Sequence, residues 1–309
     1  MRLQSQAGCS IMLVVHADQI DISHDQVVSL IAEQLPALVG LDVVAVSGAG
    51  TVNSIYRIGD DVAARFPLRP ADTDRLHARH VSELAAATEF RRVCPVPAPE
   101  PLHLGSPGHG YPLPWTAQSW LPGTVATPTS CEDSTTFTQD LTLLLERLRT
   151  CDTRGRRFEG GGRGGALADH DGWMNECIRR SEGLLDTEAM RTMWASFRQL
   201  PREDPDVMSH GDLIPSNLLV NDAKLVGVLD TGGFQAADPA LDLVCAWHLL
   251  SDAPRQQLRS TLGCSDLQWE RGKAWAFHQG AGAYWYYRET NPAMAEMGRT
   301  TLRRLVANI

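Results

Sequence analysis

The amino-acid sequence predicts an α+β fold with two lobes: an antiparallel N-terminal sheet with a helix, and a larger, mostly helical C-terminal lobe. Two observations lead to this prediction. Residues 41–68 alternate short apolar runs with turns that contain Gly or Asp, which is typical of an antiparallel meander. From about residue 124 onward, apolar residues recur mostly at helical spacing. A chain of 309 residues is also long enough to bury the cores of two lobes.

The N-terminal elements follow from local patterns. Ser23 is an N-cap candidate, and the apolar residues after it have helical spacing. The meander predicts three strands, at residues 42–47, 52–58 and 62–67. A Gly-containing turn at 48–51 joins the first two strands, and a tight turn at 59–61 joins the second to the third. Residues 1–22 are expected to form a loose leader, with Met12 as an alternative start of translation.

A helix is predicted over about 73–92, and the four prolines of the following segment require extended backbone. Residues 115–123 form a short strand that ends in Pro-Gly, and we expect the hinge between the lobes at 118–123. The N-lobe would then span 23–117 and the C-lobe 124–309. Within the C-lobe, helices are predicted before the Gly/Arg-rich segment and at about 173–199, 239–250 and 266–289.

Composition excludes several classes of function. The net charge of −9 argues against nucleic acid as a partner, because a phosphate backbone requires clustered Lys and Arg. No apolar run approaches the roughly 18 residues of a membrane helix, so no membrane is expected as a partner. The chain has seven cysteines, an odd number, and no Cys-x-x-Cys motif. This indicates reduced thiols in a cytoplasmic protein.

One ordered stretch, 208–233, contains the chemistry. Asp212 follows a glycine on a turn, Asn217 comes five residues later, and Asp230 ends an apolar strand. Two carboxylates and an amide carbonyl that converge would form the all-oxygen environment that Mg²⁺ prefers. Each residue taken alone fits a turn or a cap equally well. The order and spacing of the whole set favour a site.

Residues 210–217, His-Gly-Asp-Leu-Ile-Pro-Ser-Asn, resemble the catalytic loop of the aminoglycoside phosphotransferase family, which is related to the protein kinases. Residues 229–232 resemble its Asp-x-Gly element, and 237–243 resemble the segment that follows. The resemblance implies a protein-kinase-like two-lobe fold, with Asp212 as the catalytic base. It assigns Asn217 and Asp230 to Mg²⁺, and it makes Asp242 a carboxylate that holds the catalytic loop.

The same resemblance extends to the N-lobe. It implies that Arg65 holds the phosphates of ATP and that Glu83 on the next helix braces Arg65, with Glu89 as the second choice. The remaining nucleotide contacts would come from the phosphate loop and the hinge, at Gly48, Gly50, Ser119 and Leu121. The sequence departs from the family pattern at Ile214, where His is frequent, and at Thr231, where an aromatic residue is common.

The resemblance therefore implies an O-phosphotransferase that uses ATP, with GTP as the alternative, and Mg²⁺. Its acceptor would be a hydroxyl of a small molecule, with a cationic aminoglycoside-type antibiotic as first choice, and the enzyme would be a monomer or a dimer. Alternatives are a macrolide, amino-alcohol or sugar kinase, a protein-kinase-like signalling enzyme, a nucleotide-binding pseudokinase and a metal-dependent hydrolase. Candidate acceptor contacts are the aromatic segment 277–292 and the acidic residues Glu203, Asp204, Asp206 and Glu289. The glycines of 160–165 are interpreted as a flexible loop, because no strand precedes them and no Gly-Lys-Ser/Thr follows.

Overall fold

The N-lobe is built on a five-stranded antiparallel sheet in a computed structural model that describes residues 19–46 and 52–306. The strand order is β1-β2-β3-β5-β4. The strands are β1 (Val43–Ala45), β2 (Asn53–Ile58), β3 (Val62–Pro67), β4 (Pro101–Gly105) and β5 (Trp115–Ser119). The meander is confirmed to within two residues at each described end. The sequence predicted extended backbone near β4 but not its pairing with β5.

Two helices flank this sheet. Helix α1 (His24–Gln34) begins with a capping box. The Ser23 hydroxyl accepts a hydrogen bond from the Gln26 N–H, and the Gln26 side chain accepts one from the Ser23 N–H. Its buried residues pack with Phe66 and Trp115 of the sheet into a separate N-lobe core. Helix α2 (Thr73–Val93) is capped by Asp72, and its buried Phe90 belongs to the C-lobe core. Helix α2 therefore connects the two lobes.

The C-lobe is mostly helical. Its helices are α3 (Thr135–Thr150), α4 (Asp171–Arg180), α5 (Thr187–Phe197), α6 (Val244–Leu249), α7 (Asp252–Leu262), α8 (Asp266–Tyr287) and α9 (Pro292–Val306). Its short strands are β6 (Thr124–Val125), β7 (Val207–Ser209), β8 (Leu218–Asn221), β9 (Lys224–Val228) and β10 (Gln235–Ala237). Strands β6, β8 and β9 form one sheet, and β7 pairs with β10.

The two helices predicted after residue 239 are confirmed as α6 and α8, but α7 and α9, which the described residues also contain, were not predicted. Gly263 ends α7 with a left-handed conformation (φ 62°), and Ser265 caps the start of α8. Pro292 begins α9 at a position where its missing N–H costs no hydrogen bond. Gly263, Ser265 and Pro292 are ordinary stop and start signals for helices.

The short strands position the candidate site. The Leu229 N–H, just after β9, donates to the Asn217 carbonyl, just before β8, at 2.7 Å. The antiparallel pair of β7 and β10 brings the start of the 210–217 loop beside the segment that follows Asp230. Within the described part of the chain no helix is both long and apolar enough to cross a membrane. The six cysteines in that part are free, as predicted.

Candidate active site

The catalytic-loop candidate, residues 210–217, is held by a buried carboxylate. Asp242 accepts hydrogen bonds from the His210 N–H at 2.8 Å and from the Gly211 N–H at 2.9 Å. Gly211 has φ 82°, a conformation that glycine adopts without steric cost. The His210 ring bonds the Leu229 carbonyl at 2.9 Å. The loop is thus fixed from two sides, and the proposed structural role of Asp242 has a direct geometric basis.

Asn217 joins the end of the loop to Asp212 near its start. Its side-chain amide donates to the Asp212 carbonyl at 2.9 Å and to Asp212 Oδ2 at 3.2 Å. Because the amide nitrogen is used in this way, the Asn217 side-chain oxygen is left for another partner. The backbone bond between Leu229 and Asn217 also brings Asp230 next to this part of the loop. Asp212, Asn217 and Asp230 are therefore brought together, as the sequence pattern required.

Asp230 lies in the cleft between the lobes. Its backbone is left-handed (φ 55°), a conformation that Asp tolerates better than most residues, and it accepts a bond from Arg65 Nη2 at 2.8 Å. Half of its side chain (50%) is exposed to solvent. Burial alone would raise the pKa of Asp230, but the positive charge and hydrogen bond of Arg65 lower it below its ordinary value. This side chain is therefore ionised and attracts cations.

These residues fit a Mg²⁺ ion that is shared with phosphates. No cluster of three or more His, Cys, Asp or Glu residues in the described ranges could hold a metal by itself. The candidate ligands are the Asn217 side-chain oxygen and the Asp230 carboxylate, and Arg65 already forms an ion pair with that carboxylate. Mg²⁺ commonly binds through one or two carboxylates, with water and substrate phosphates as its other ligands.

Glu83 does not brace Arg65 in this structure, which corrects the sequence-based expectation. Its carboxylate accepts bonds from Arg79 Nε at 2.7 Å and contacts His80 Nδ1 at 3.2 Å, both within its own helix. Burial would raise the pKa of Glu83, but these two partners lower it. Arg65 contacts Asp230 instead, at 2.8 Å. The alternative, Glu89, is engaged by Arg156 at 2.7 and 2.8 Å.

Of the other nucleotide contacts predicted, Gly48 and Gly50 lie outside the described residues. The Ser119 N–H donates to the Glu100 carbonyl at 2.8 Å, so Ser119 has only its carbonyl to offer from its backbone. The Trp120 N–H is bonded to Asp61. The Leu121 N–H has no protein partner in the described ranges, and the Leu121 side chain packs above Gly227 of β9. The Ser119 carbonyl and the Leu121 N–H are therefore among the hinge backbone groups that could contact a nucleotide.

Two residues at the site were missed by the sequence analysis. Arg163, from the segment interpreted as a flexible loop, donates through Nη2 to Asp212 Oδ1 at 2.6 Å and to the Gly211 carbonyl at 3.2 Å. Gln279 of α8 donates to the same Asp212 oxygen at 2.8 Å. They are 49 and 67 residues from Asp212 in sequence. The arginine between glycines was a visible signal, whereas nothing in the local sequence distinguished Gln279.

Gln279 is itself held by a buried chain of hydrogen bonds. Because its amide nitrogen donates to Asp212, its oxygen accepts from His248 Nε2 at 2.9 Å. The other ring nitrogen of His248 then accepts from the Thr301 hydroxyl at 2.7 Å. Burial lowers the pKa of His248 to about 4, so the ring is neutral at neutral pH. The chain fixes one orientation of Gln279 and so of the Asp212 carboxylate.

Two histidines neighbour Arg163 on the side of Asp212 that faces α8. His170 and His278 lie together there, with ring centroids 4.6 Å apart. Burial lowers the pKa of both rings, and the charge of Arg163 lowers each pKa further, while Asp169 acts in the opposite direction on His170. Both ring nitrogens of His278 are buried without a protein partner in the described part of the chain.

None of the four acidic candidates contacts Asp212. Asp206 pairs with Arg202 and accepts from the Phe158 N–H, and Glu289 pairs with Arg288. Glu203 is solvent-exposed, and Asp204 is partly buried.

Comparisons with known proteins found a family, similar sequences and similar folds. The profile of the Phosphotransferase enzyme family matches residues 43–276. An aminoglycoside 3'-phosphotransferase from Escherichia coli is 30% identical over 92 residues. This alignment covers 26% of the chain, and the chain spans about a third (34%) of the length of that relative.

Two solved structures are similar in fold. One is a GDP complex of a variant of aminoglycoside 2'-phosphotransferase-IIIa. It has a TM-score of 0.70 at 17% identity, with 93% of this chain and 98% of that chain covered. The other is macrolide 2'-phosphotransferase MphH from Brachybacterium faecium, with a TM-score of 0.56 at 19% identity and coverages of 90% and 97%. At these sequence identities, both similarities support the fold alone.

Proposed function

The chain belongs to the Phosphotransferase enzyme family, and we propose that it transfers the terminal phosphoryl group of ATP to a hydroxyl of a small molecule. One observation carries the proposal. The Asp212 carboxylate is fixed on a glycine turn, with Asn217 bonded to it and Asp230 at the neighbouring strand end. This arrangement supports the proposal, because Asp212 could accept a proton beside two side-chain oxygens, of Asn217 and Asp230, that could bind a phosphate-bound cation.

Asp212 is the general base in this mechanism. Of its two carboxylate oxygens, Oδ2 accepts one bond, from Asn217, so it retains a second acceptor position for the hydroxyl of the substrate. As the acceptor oxygen bonds to the phosphorus atom, its proton passes to Asp212, and the bond from phosphorus to the leaving ADP oxygen breaks. Most of the acceleration comes from positioning and charge neutralisation.

The nucleotide is held from both lobes. Arg65 is a planar fork that can contact Asp230 and phosphate oxygens together. The side-chain oxygens of Asn217 and Asp230 would hold Mg²⁺, which supplies neutralisation of phosphate charge when it is bound. The Ser119 carbonyl and the Leu121 N–H are the hinge groups proposed to hydrogen-bond the purine base of the nucleotide. ATP is our first choice, and GTP is the alternative because a similar fold was solved with GDP.

An aminoglycoside-type antibiotic is the first candidate acceptor, and resistance is the role that it implies. The net charge of −9 suits a cation, and the relatives in sequence and fold include aminoglycoside phosphotransferases. A second candidate is an acceptor with less positive charge, such as a macrolide. This second class is supported by Arg163 and Gln279, which contact Asp212, and by two nearby histidines whose pKa is lowered.

The proposal is tested by following phosphate transfer from Mg²⁺-ATP to a panel of aminoglycosides, macrolides, sugars and amino alcohols. Asp212→Ala should abolish transfer while nucleotide binding persists. Asp74→Ala, at an exposed position in the first turn of α2, is the matched control and should retain wild-type transfer. If wild type binds Mg²⁺-ATP but transfers phosphate to no acceptor and hydrolyses none, the chain is a nucleotide-binding module. Transfer that survives Asp212→Ala would refute the proposed base.

A further inference from the structure

We propose that Arg163 is a further catalytic residue, whose planar guanidinium positions the Asp212 carboxylate and neutralises charge on the phosphoryl group that is transferred. The inference rests on the proposed phosphotransfer and names a group that the sequence motifs do not contain. The contact that carries it is the bond from Arg163 Nη2 to Asp212 Oδ1, at 2.6 Å. The same nitrogen donates to the Gly211 carbonyl, which belongs to the turn that presents Asp212.

The position of Arg163 is built into the C-lobe. The Gly164 carbonyl accepts from the Asp238 N–H at 3.1 Å, and the Gly165 carbonyl accepts from Arg271 Nη2 at 2.9 Å. Asp238 and Arg271 form a buried ion pair, each with only 2% of its side chain exposed. The two residues after Arg163 are therefore tied to the rigid interior of the lobe.

Gly164 shows how closely the chain approaches the interior. Its φ is +117°, and a Cβ at this position would lie 2.9 Å from the Cβ of Ala237. No larger residue fits there without a shift of the backbone. Gly164 thus allows a close approach of the backbone that delivers the arginine to Asp212.

Hydrogen-bond capacity indicates how the group acts. Asp212 Oδ1 accepts from Arg163 and from Gln279, which fills its two lone pairs. The oxygen left for the acceptor hydroxyl is then Oδ2. Arg163 Nε and Nη1 have no protein partner in the described ranges, and the side chain is 27% exposed. The guanidinium can therefore hold the carboxylate and still donate to a phosphoryl oxygen.

The charges around the site give this donor its importance. Arg65 supplies a positive charge from the N-lobe, where it contacts Asp230. On the α8 side the histidines have lowered pKa values, whereas a guanidinium keeps its charge. A phosphoryl group placed between Asp230 and Asp212 would face two carboxylates. Preorganised donors at such a point are worth about 10²–10³ in kcat each.

The test compares Arg163→Ala and Arg163→Lys with Arg154→Ala. Arg154 lies in the same connecting segment, is 69% exposed and reaches Glu89 only at 4.0 Å, so it is the matched control. The measured quantities are kcat and the KM for ATP, with the best acceptor and with water as acceptor. For Arg163→Ala we expect kcat to fall by about 10²–10³ while the KM for ATP stays nearly constant. Added guanidinium ion should restore part of kcat, and ammonium ion should not.

Arg163→Lys keeps the charge without the planar fork and should show an intermediate loss of kcat, so the test stands if the alanine variant does not fold. An unchanged kcat in either variant overturns the inference and leaves the proposed function intact. A raised kcat in Arg163→Ala also overturns it, because the contact would then be inhibitory. If wild type turns over no ATP with any acceptor or with water, the proposed function falls, and the inference falls with it.

Discussion

The buried pair of Arg271 and Asp238 allows a stability prediction to be worked from the structure. Arg271 donates to one Asp238 oxygen at 2.8 and 2.6 Å, to the Leu200 and Pro201 carbonyls, and to the Gly165 carbonyl. In Arg271→Met the Asp238 charge would remain buried without its partner. Such a change typically costs about 3–5 kcal/mol. Three backbone carbonyls also lose a donor, which places our expectation at the upper end of this range.

The assay is urea denaturation followed by tryptophan fluorescence and by far-UV circular dichroism, whose coincidence tests for a two-state transition. The matched control is Arg299→Met, since Arg299 pairs with Glu296 on the surface of α9 with 47% of its side chain exposed. It should change the free energy of unfolding by no more than about 1 kcal/mol. Arg271→Met with Asp238→Asn should recover part of the loss, because no buried charge remains. A loss below about 1 kcal/mol in Arg271→Met would refute the reasoning.

Two further predictions concern the groups around Asp212. Gly164→Ala should lower kcat with the same pattern as Arg163→Ala, because its Cβ would meet Ala237. Gly161→Ala, where φ is also positive but nothing lies within 4 Å, should retain most of kcat; equal kcat values in the two glycine variants would contradict the close-approach argument. His248 has a pKa of about 4 in the folded chain and about 6.5 when unfolded. The contribution of neutral His248 to the free energy of unfolding is complete above pH 6.5. It is lost as pH falls towards 4, because the unfolded state binds the proton first. His248→Asn should reduce the acid-induced loss of unfolding free energy by about 3 kcal/mol, and an unchanged pH profile would refute this assignment.

The parts predicted well from the sequence are those in which the information is local. Strand periodicity and tight turns define the meander, and the caps at Ser23 and Asp72 define the first two helices. The stretch 208–233 could be interpreted because a turn and two short paired strands bring Asp212, Asn217 and Asp230 together although Asp212 and Asp230 are 18 residues apart in sequence. In each case the folded contact is a consequence of neighbouring residues.

The parts that could not be predicted depend on packing between distant segments. Arg163 and Gln279 reach Asp212 because the buried Arg271 ties the glycine segment to the C-lobe, and because His248 fixes the orientation of Gln279. No local pattern specifies either arrangement. The Glu83 prediction failed for a related reason. Which cation a carboxylate contacts is decided by the competition among all nearby cations, and here Arg79 and His80 lie on the same helix as Glu83.

The distribution of charge explains why the two cleft arginines have to come from different lobes. Asp230 is paired with Arg65 of β3, and Asp212 is paired with Arg163 of the C-lobe. In the proposed function, a magnesium–nucleotide complex with net negative charge would enter between two carboxylates, and cations on both sides of the transferred group would offset the repulsion. One arginine could not serve both carboxylates while it also gripped phosphate. Each arginine contacts its carboxylate through one nitrogen, so each retains donors that can turn to phosphate oxygens without leaving that carboxylate unpaired.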